Sequence, residues 1–73
     1  MSARQVPVRG SFVVDTARDA IGEVMDHVEA LIQLRPLQGG LEWDAKPAEV
    51  RPATFDEVLS AKVRIANSSR QAL

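Results

Sequence analysis

The stretch that most constrains the fold is residues 31–57, LIQLRPLQGGLEWDAKPAEVRPATFDE. It begins with alternating apolar and polar residues, which is the strand period, and the glycine pair at 39–40 then predicts a turn, because glycine reaches positive φ without steric cost. Residues 41–45 alternate again and predict a second strand. Its expected inward positions are Leu41, Trp43 and Ala45. Prolines then bracket a corner that leads into a helix.

A helix at about residues 54–68 is predicted from its start signal. Thr54 is followed three residues later by Glu57, and this capping box satisfies two backbone N–H groups reciprocally. The apolar residues that follow recur at helical spacing and are expected to form a buried stripe. The stripe consists of Phe55, Val58, Leu59, Val63 and Ala66, with Ile65 on its flank.

The first half of the chain gives a less decisive prediction of secondary structure. Residues 11–14 predict a strand because they are β-branched and aromatic, whereas residues 17–34 fit two structures. Helical spacing of the apolar residues slightly favours a helix at about 17–32. Against the helix, Gly22 costs about 1 kcal/mol relative to alanine, and residues 31–35 alternate with the strand period. The alternative comprises a strand at 21–25, a turn at 26–29 and a returning strand at 30–37.

Several motifs resemble those of a known family. The segments VVDTARDAIGEVM, LIQLRPLQGGLEWDAKP and VRPAT, followed by a capped helix, are similar to a family of short uncharacterised actinobacterial proteins. The match covers about residues 11–69 and implies no particular activity. Those relatives tend to carry glycine and proline in the stretch that matches residues 26–30, which the interior of a helix tolerates poorly. The resemblance therefore implies a β-turn there.

With this resemblance we expect an α+β, mainly β fold. Four to five short antiparallel strands would curl into a small SH3-like barrel with one C-terminal helix at about 54–68. A βαββα arrangement with a helix at about 17–32 is the alternative. We expect residues 1–10 to form a flexible tail, residues 11–69 a single small globular domain, and residues 70–73 a frayed end.

Composition excludes several classes of function. The chain has no cysteine, so disulfides, thiolate zinc sites and thiol catalysis are excluded. Nine basic and ten acidic residues leave a net charge of −1, whereas a general nucleic-acid binder usually has a basic excess. No apolar run approaches the ~18 residues of a membrane span, and the N-terminus lacks the apolar region of a signal peptide. We therefore expect a cytoplasmic location and no membrane partner.

Residues that could support catalysis or metal binding have simpler explanations. His27 is the only histidine, and zinc sites usually need three or four His or Cys ligands. The glycine pair at 39–40 is not followed by the Lys-Ser/Thr of a phosphate-binding loop. Four acidic residues have the spacing of solvated surface charges, namely Asp15, Asp19, Glu23 and Asp26. We expect no catalytic residue, metal or cofactor, and hence no enzyme.

Arg18, Arg35, Arg51 and Trp43 are the candidate binding residues. Arginine favours bidentate contacts with anions and partner proteins, and the loops of a small barrel can bring separate arginines together. The alternative is that each arginine pairs with a nearby acidic residue, such as Asp19 or Glu49. Trp43 itself is expected in the core beneath the helix, against Val58 and Leu59, with a half-exposed binding platform as the alternative.

These observations predict a non-enzymatic protein-interaction or regulatory module. Its expected partner is another protein or a second copy of the chain. The core of a domain of 73 residues supplies little stability, and small domains often gain more by forming oligomers. The alternative function is a nucleic-acid-binding small barrel that uses the loop arginines. The shortage of aromatic residues for base stacking disfavours this alternative.

Overall fold

The computed structural model describes the backbone of residues 7–71 and the side chains of residues 7–68. This part of the chain forms a five-stranded antiparallel sheet and one C-terminal helix, so the expected α+β, mainly β class is confirmed. The elements are β1 (Phe12–Asp15), β2 (Ala20–Val28), β3 (Leu31–Pro36), β4 (Trp43–Ala45), a 3-10 helix (Pro47–Glu49), β5 (Val50–Pro52) and α1 (Phe55–Gln71). The expected flexible tail at 1–10 lies mostly outside the described residues, as do residues 72–73 of the expected frayed end, whereas residues 70–71 belong to α1.

Residues 17–34 form strands rather than a helix. β2 and β3 pair as an antiparallel hairpin, and Glu29 takes the positive φ of 57° that its tight turn requires. The strand-turn-strand prediction is confirmed, although the turn is shorter than expected, and the helix at 17–32 is wrong. The spacing of the apolar residues fits both the helical and the strand period. The strand arrangement buries Val24 and Ile32 completely against neighbouring strands.

The sheet curls, but its two edges do not pair. The strand order is β4-β3-β2-β1-β5, so β4 and β5 form the edges, and no pairing between them closes the sheet into a barrel in the described chain. In a flat sheet these edges would lie about 19 Å apart. Only residues 46–49 connect them, and three of these form the 3-10 helix, so the connection reaches roughly 13 Å. The sheet must therefore bend strongly.

The core lies on the inner face of this curled sheet. Strand register places residues from four strands on that face, and the cluster consists of Val13, Val24, Ile32, Leu34 and Ala45, with Trp43 and Val50 packed against it. Val50 comes from the segment between the two prolines, at the start of β5. With so few large side chains, the core depends on the curl of the sheet itself rather than on the helix.

Helix α1 begins as predicted but buries a different face. Glu57 Oε1 accepts from the Thr54 backbone N–H at 2.8 Å and Thr54 Oγ1 accepts from the Glu57 N–H at 3.1 Å, which confirms the capping box. Leu59 and Val63 are half exposed, Phe55 is 79% exposed and Ala66 is exposed, so four of the five residues of the expected buried stripe are not buried. The buried residue is Ala61, and the partly buried apolar residues on its side are Val58 and Ile65.

The position of α1 explains this difference. Lys62 Nζ lies 5.3 Å from the centroid of the Phe12 ring, on the face of β1 opposite the core residue Val13. The helix therefore lies on the outer side of the sheet and contacts it through few residues, while the core cluster packs on the inner face. Among residues 7–71, no helix is long and apolar enough to cross a membrane.

The position that the sequence pattern predicts for Leu41 is also wrong. The strand was expected from residue 41, but β4 begins at Trp43, and Leu41 is 90% exposed in the preceding loop. Gly39 and Gly40 both have positive φ, as the turn prediction requires. They lie within a loop over residues 37–42, which takes the place of a tight hairpin turn. The alternation of Leu41 with Trp43 therefore does not place the two residues on one strand.

Candidate functional site

A groove of about 1100 Å³ lies where two loops meet the helix. Its walls are the turn after β1 at residues 16–19, the loop after β3 at residues 37–42, and one side of α1. The charged side chains that line it are Arg18, Arg51, Arg64, Asp19, Asp56 and Glu57, and apolar surface comes from Leu41, Trp43 and Ile65. Three of the four sequence-predicted residues, Arg18, Trp43 and Arg51, are thus brought together.

Trp43 extends across the inner face of the sheet from its edge. The ring passes over Gly22 in β2, where an added Cβ would lie 3.0 Å from the Trp43 Cη2 atom. At its far side the indole Nε1 donates to Asp15 Oδ2 at 2.8 Å, so one side chain connects β4 with β1. Glycine is favoured at position 22 because a side chain there would press on the Trp43 ring and on β3. Trp43 is half-buried: it packs on the core and also lines the groove.

Asp15 holds both the tryptophan and the adjacent turn. It is 3% exposed, and its second oxygen, Oδ1, accepts from the backbone N–H groups of Ala17 at 3.0 Å and Arg18 at 3.2 Å. The prediction that Asp15 is a solvated surface charge is therefore wrong. Aspartate at the start of a turn commonly accepts from backbone groups two or three residues later, and this signal was present in the sequence.

Arg18 is the arginine most directly placed for binding. Its guanidinium carbon lies 5.1 Å from the centroid of the Trp43 ring, within the range of a cation–π contact. Asp15 fixes both partners of this stack, through the Arg18 backbone and the Trp43 indole. Within the described residues no carboxylate forms a salt bridge with Arg18, so its donors remain available to a ligand.

Arg51 lies in the groove but is already paired. Its guanidinium donates to both carboxylate oxygens of Glu57, at 2.9 and 2.6 Å. These bonds from Arg51, together with the Thr54 backbone N–H, lower the pKa of Glu57 to about 2, and the same pairing raises the pKa of Arg51. Arg51 therefore joins β5 to the first turn of α1, which positions the helix wall of the groove.

Arg35 does not reach the groove. It lies next to the buried Leu34 in β3 and points to the opposite face, where its guanidinium pairs with Glu42 at 3.4 Å. The arginine partners observed, Glu42 and Glu57, differ from the expected Asp19 and Glu49. The helix instead contributes Arg64, which was not among the binding residues predicted from the sequence.

The single histidine takes part in local structure away from the groove. His27 Nε2 lies 2.8 Å from the carbonyl oxygen of Pro7, and the neighbouring Asp26 pairs with Arg9 at 3.0 Å. The backbone N–H of His27 and the Arg9 side chain lower the pKa of Asp26. In the part of the chain that the structure describes, no three His, Cys, Asp or Glu residues are grouped to hold a metal ion.

Comparisons with protein-family models, curated proteins and solved structures find no match. The resemblance to the actinobacterial family stays a prediction. The geometry of the groove is therefore the basis for assigning a function.

Proposed function

We propose that this protein is a non-enzymatic interaction module whose groove binds a segment of a partner protein. The observation that carries the proposal is the stack of Arg18 on Trp43, with both residues held by the buried Asp15. Asp15 fixes the Trp43 ring, so the ring loses little conformational entropy when a ligand binds, which favours affinity. Tryptophan and arginine are also the residue types that most often dominate binding energy at protein interfaces.

The chemistry of the groove selects an extended segment with one acidic residue beside an apolar one. Arg18 and Arg64 supply guanidinium groups that form no salt bridge within the described chain, and a carboxylate can bind such a group in bidentate fashion. Leu41, almost fully exposed at the rim, gives an apolar side chain a surface to cover. An Asp or Glu side chain next to an apolar side chain in the segment would satisfy both features.

An SH3-like architecture is part of the same proposal. Five short antiparallel strands and the short link between the edge strands support it, since that link forces the sheet to curl. Membership of the actinobacterial family and a cytoplasmic location are likewise proposals. A regulatory role fits a small module that recognises one segment of a larger partner without altering it chemically.

Selection from a random peptide library displayed on phage tests this function. The wild-type protein is expected to enrich peptides that contain Asp or Glu next to an apolar residue. Arg18→Ala should weaken binding of the enriched peptides about tenfold or more, because it removes the stacked guanidinium. The matched control is Arg35→Ala, which removes an arginine outside the groove and should leave binding within about twofold. Enrichment of nothing, or equal effects of the two variants, would overturn the proposal.

Binding of single-stranded nucleic acid is the second candidate. A base could stack with Trp43 and Arg18, as bases do on aromatic and arginine side chains in other proteins. The groove is lined, however, by three arginines and three carboxylates, so its formal charge is zero and phosphate neutralisation would contribute little. Fluorescence anisotropy with a labelled single-stranded RNA at low salt distinguishes the candidates. Binding that weakens steeply with salt and is lost in Arg18→Ala would favour nucleic acid over peptide.

A further inference from the structure

The outward face of α1 carries an apolar row that nothing in the described chain covers. Phe55, Leu59, Val63 and Ala66 follow one another at spacings of four, four and three, which aligns them along one side of the helix. All four are exposed, and the side toward the groove is polar, with Glu57, Ser60, Arg64 and Ser68. The helix thus turns its apolar row to solvent, the reverse of the usual arrangement in a small domain.

We propose that this row is the contact between two copies of the chain, packed as an antiparallel pair of α1 helices about a two-fold axis. In that arrangement Phe55 lies opposite Ala66 of the second copy, and Leu59 lies opposite Val63. Each large side chain meets a smaller one, as close packing requires. A parallel pair would place Phe55 on Phe55 and Ala66 on Ala66, which leaves a clash at one end and a gap at the other.

The polar residues beside the row agree with the antiparallel arrangement. Asp56 and Asn67 lie on the same edge at opposite ends, so antiparallel packing brings Asp56 of one copy to Asn67 of the other. The amide can then donate to the carboxylate. Lys62 lies on the other edge, and its Nζ sits over the Phe12 ring of its own sheet, so its charge is directed away from the second copy.

The exposed area indicates a weak, reversible dimer. Phe55, Leu59 and Val63 together expose on the order of 300 Å² of side chain per copy. Two rows and their polar edges would bury roughly 1,000 Å², the lower end of specific interfaces. Pairing would also support α1 itself, because a helix of 17 residues is marginal in water unless it packs on another surface.

Sedimentation equilibrium over roughly 10 µM to 1 mM tests the association. The wild-type chain is expected to shift from monomer toward dimer across this range. Leu59→Lys places a charge in the middle of the row and should raise the dissociation constant at least about tenfold. Ala30→Lys adds the same charge at an exposed position of the β2–β3 turn and should leave it unchanged within about twofold. A wild-type chain that stays monomeric, or equal effects of both substitutions, overturns the proposal.

Cysteine cross-linking tests the orientation, because the natural chain has no cysteine to interfere. Asp56→Cys mixed with Asn67→Cys should form disulfide-linked heterodimers under a mild oxidant. Asp56→Cys alone should cross-link at least about fivefold less, since antiparallel packing separates the two copies of residue 56 by most of the helix length. Preferential cross-linking of Asp56→Cys with itself would indicate parallel helices and overturn the proposed pairing. Circular dichroism confirms that each variant is folded.

Discussion

The hydrogen bond between Trp43 and Asp15 should carry a large share of the stability of this domain. It joins strands that are not neighbours in the sheet, and its acceptor is almost fully buried. A domain of 73 residues has a total stability of roughly 4–11 kcal/mol. A hydrogen bond to a charged group contributes about 1.5–3 kcal/mol. Asp15→Ala also removes the acceptor for two backbone N–H groups of the turn, so we expect a loss of about 3–4 kcal/mol.

A double-mutant cycle isolates the contribution of this one bond. The variants are Asp15→Ala, Trp43→Phe and the pair, and Trp43→Phe keeps an aromatic ring while removing the indole donor. Urea unfolding must be followed by far-ultraviolet circular dichroism, because Trp43→Phe removes the only tryptophan. The expected coupling energy between the two sites is about 1.5–3 kcal/mol. A fixed concentration of sucrose in all samples keeps the weakest variant folded without altering the comparison.

A charge-matched control accompanies the cycle. Asp44→Ala removes an exposed carboxylate from the same strand as Trp43 and should change the free energy of unfolding by no more than about 0.5 kcal/mol. If the coupling between Asp15 and Trp43 falls below about 0.5 kcal/mol, the two side chains act independently. The explanation of how Trp43 is held over the sheet would then be wrong.

Three further predictions follow from the same geometry. Gly22→Ala places a Cβ 3.0 Å from the Trp43 ring and should lower the free energy of unfolding by about 1–3 kcal/mol, measured by urea titration of tryptophan fluorescence. Thr54→Ala removes the helix cap and should lower it by about 1 kcal/mol, with a parallel loss of helical signal in circular dichroism. The pKa of Glu57 falls from an ordinary 4.5 to about 2 in the folded chain, so its ion pair with Arg51 stabilises the protein fully above pH 4.5. That contribution is lost as the pH falls toward 2, and the difference in urea midpoint between wild type and Glu57→Gln should shrink over the same interval.

Local signals in the sequence were sufficient for much of the fold. The capping box at Thr54, the positive φ of the two glycines at 39–40 and the alternation in β3 depend on residues close together in the chain, and all three were predicted. The choice between helix and hairpin for residues 17–34 was not decided by local pattern. It depended on pairing with β1 and β3, which a periodicity cannot show.

Two of the errors share one cause, which is that periodicity identifies an apolar side but not what it faces. The apolar residues of α1 were assigned to the core, but the core cluster consists of strand residues alone and Leu59 is half exposed. Leu41 alternates with Trp43 but precedes the strand. Asp15 was counted as a surface charge because its main partner, Trp43, lies 28 residues away in the chain. The groove could not be predicted either, because the turn, the loop and the helix that form it meet only in the folded protein.

The most direct test of the proposed groove is a two-dimensional ¹H–¹⁵N NMR titration with a phage-selected acidic peptide. The chain has a single tryptophan, so its indole N–H gives one cross-peak that belongs to Trp43 and reports on the groove. The expected result is a saturable shift of this cross-peak and of the Arg18 backbone amide in the wild-type protein, with much weaker binding in Arg18→Ala. A peptide that binds while leaving the Trp43 indole unmoved would contradict the assignment of the groove as the binding site.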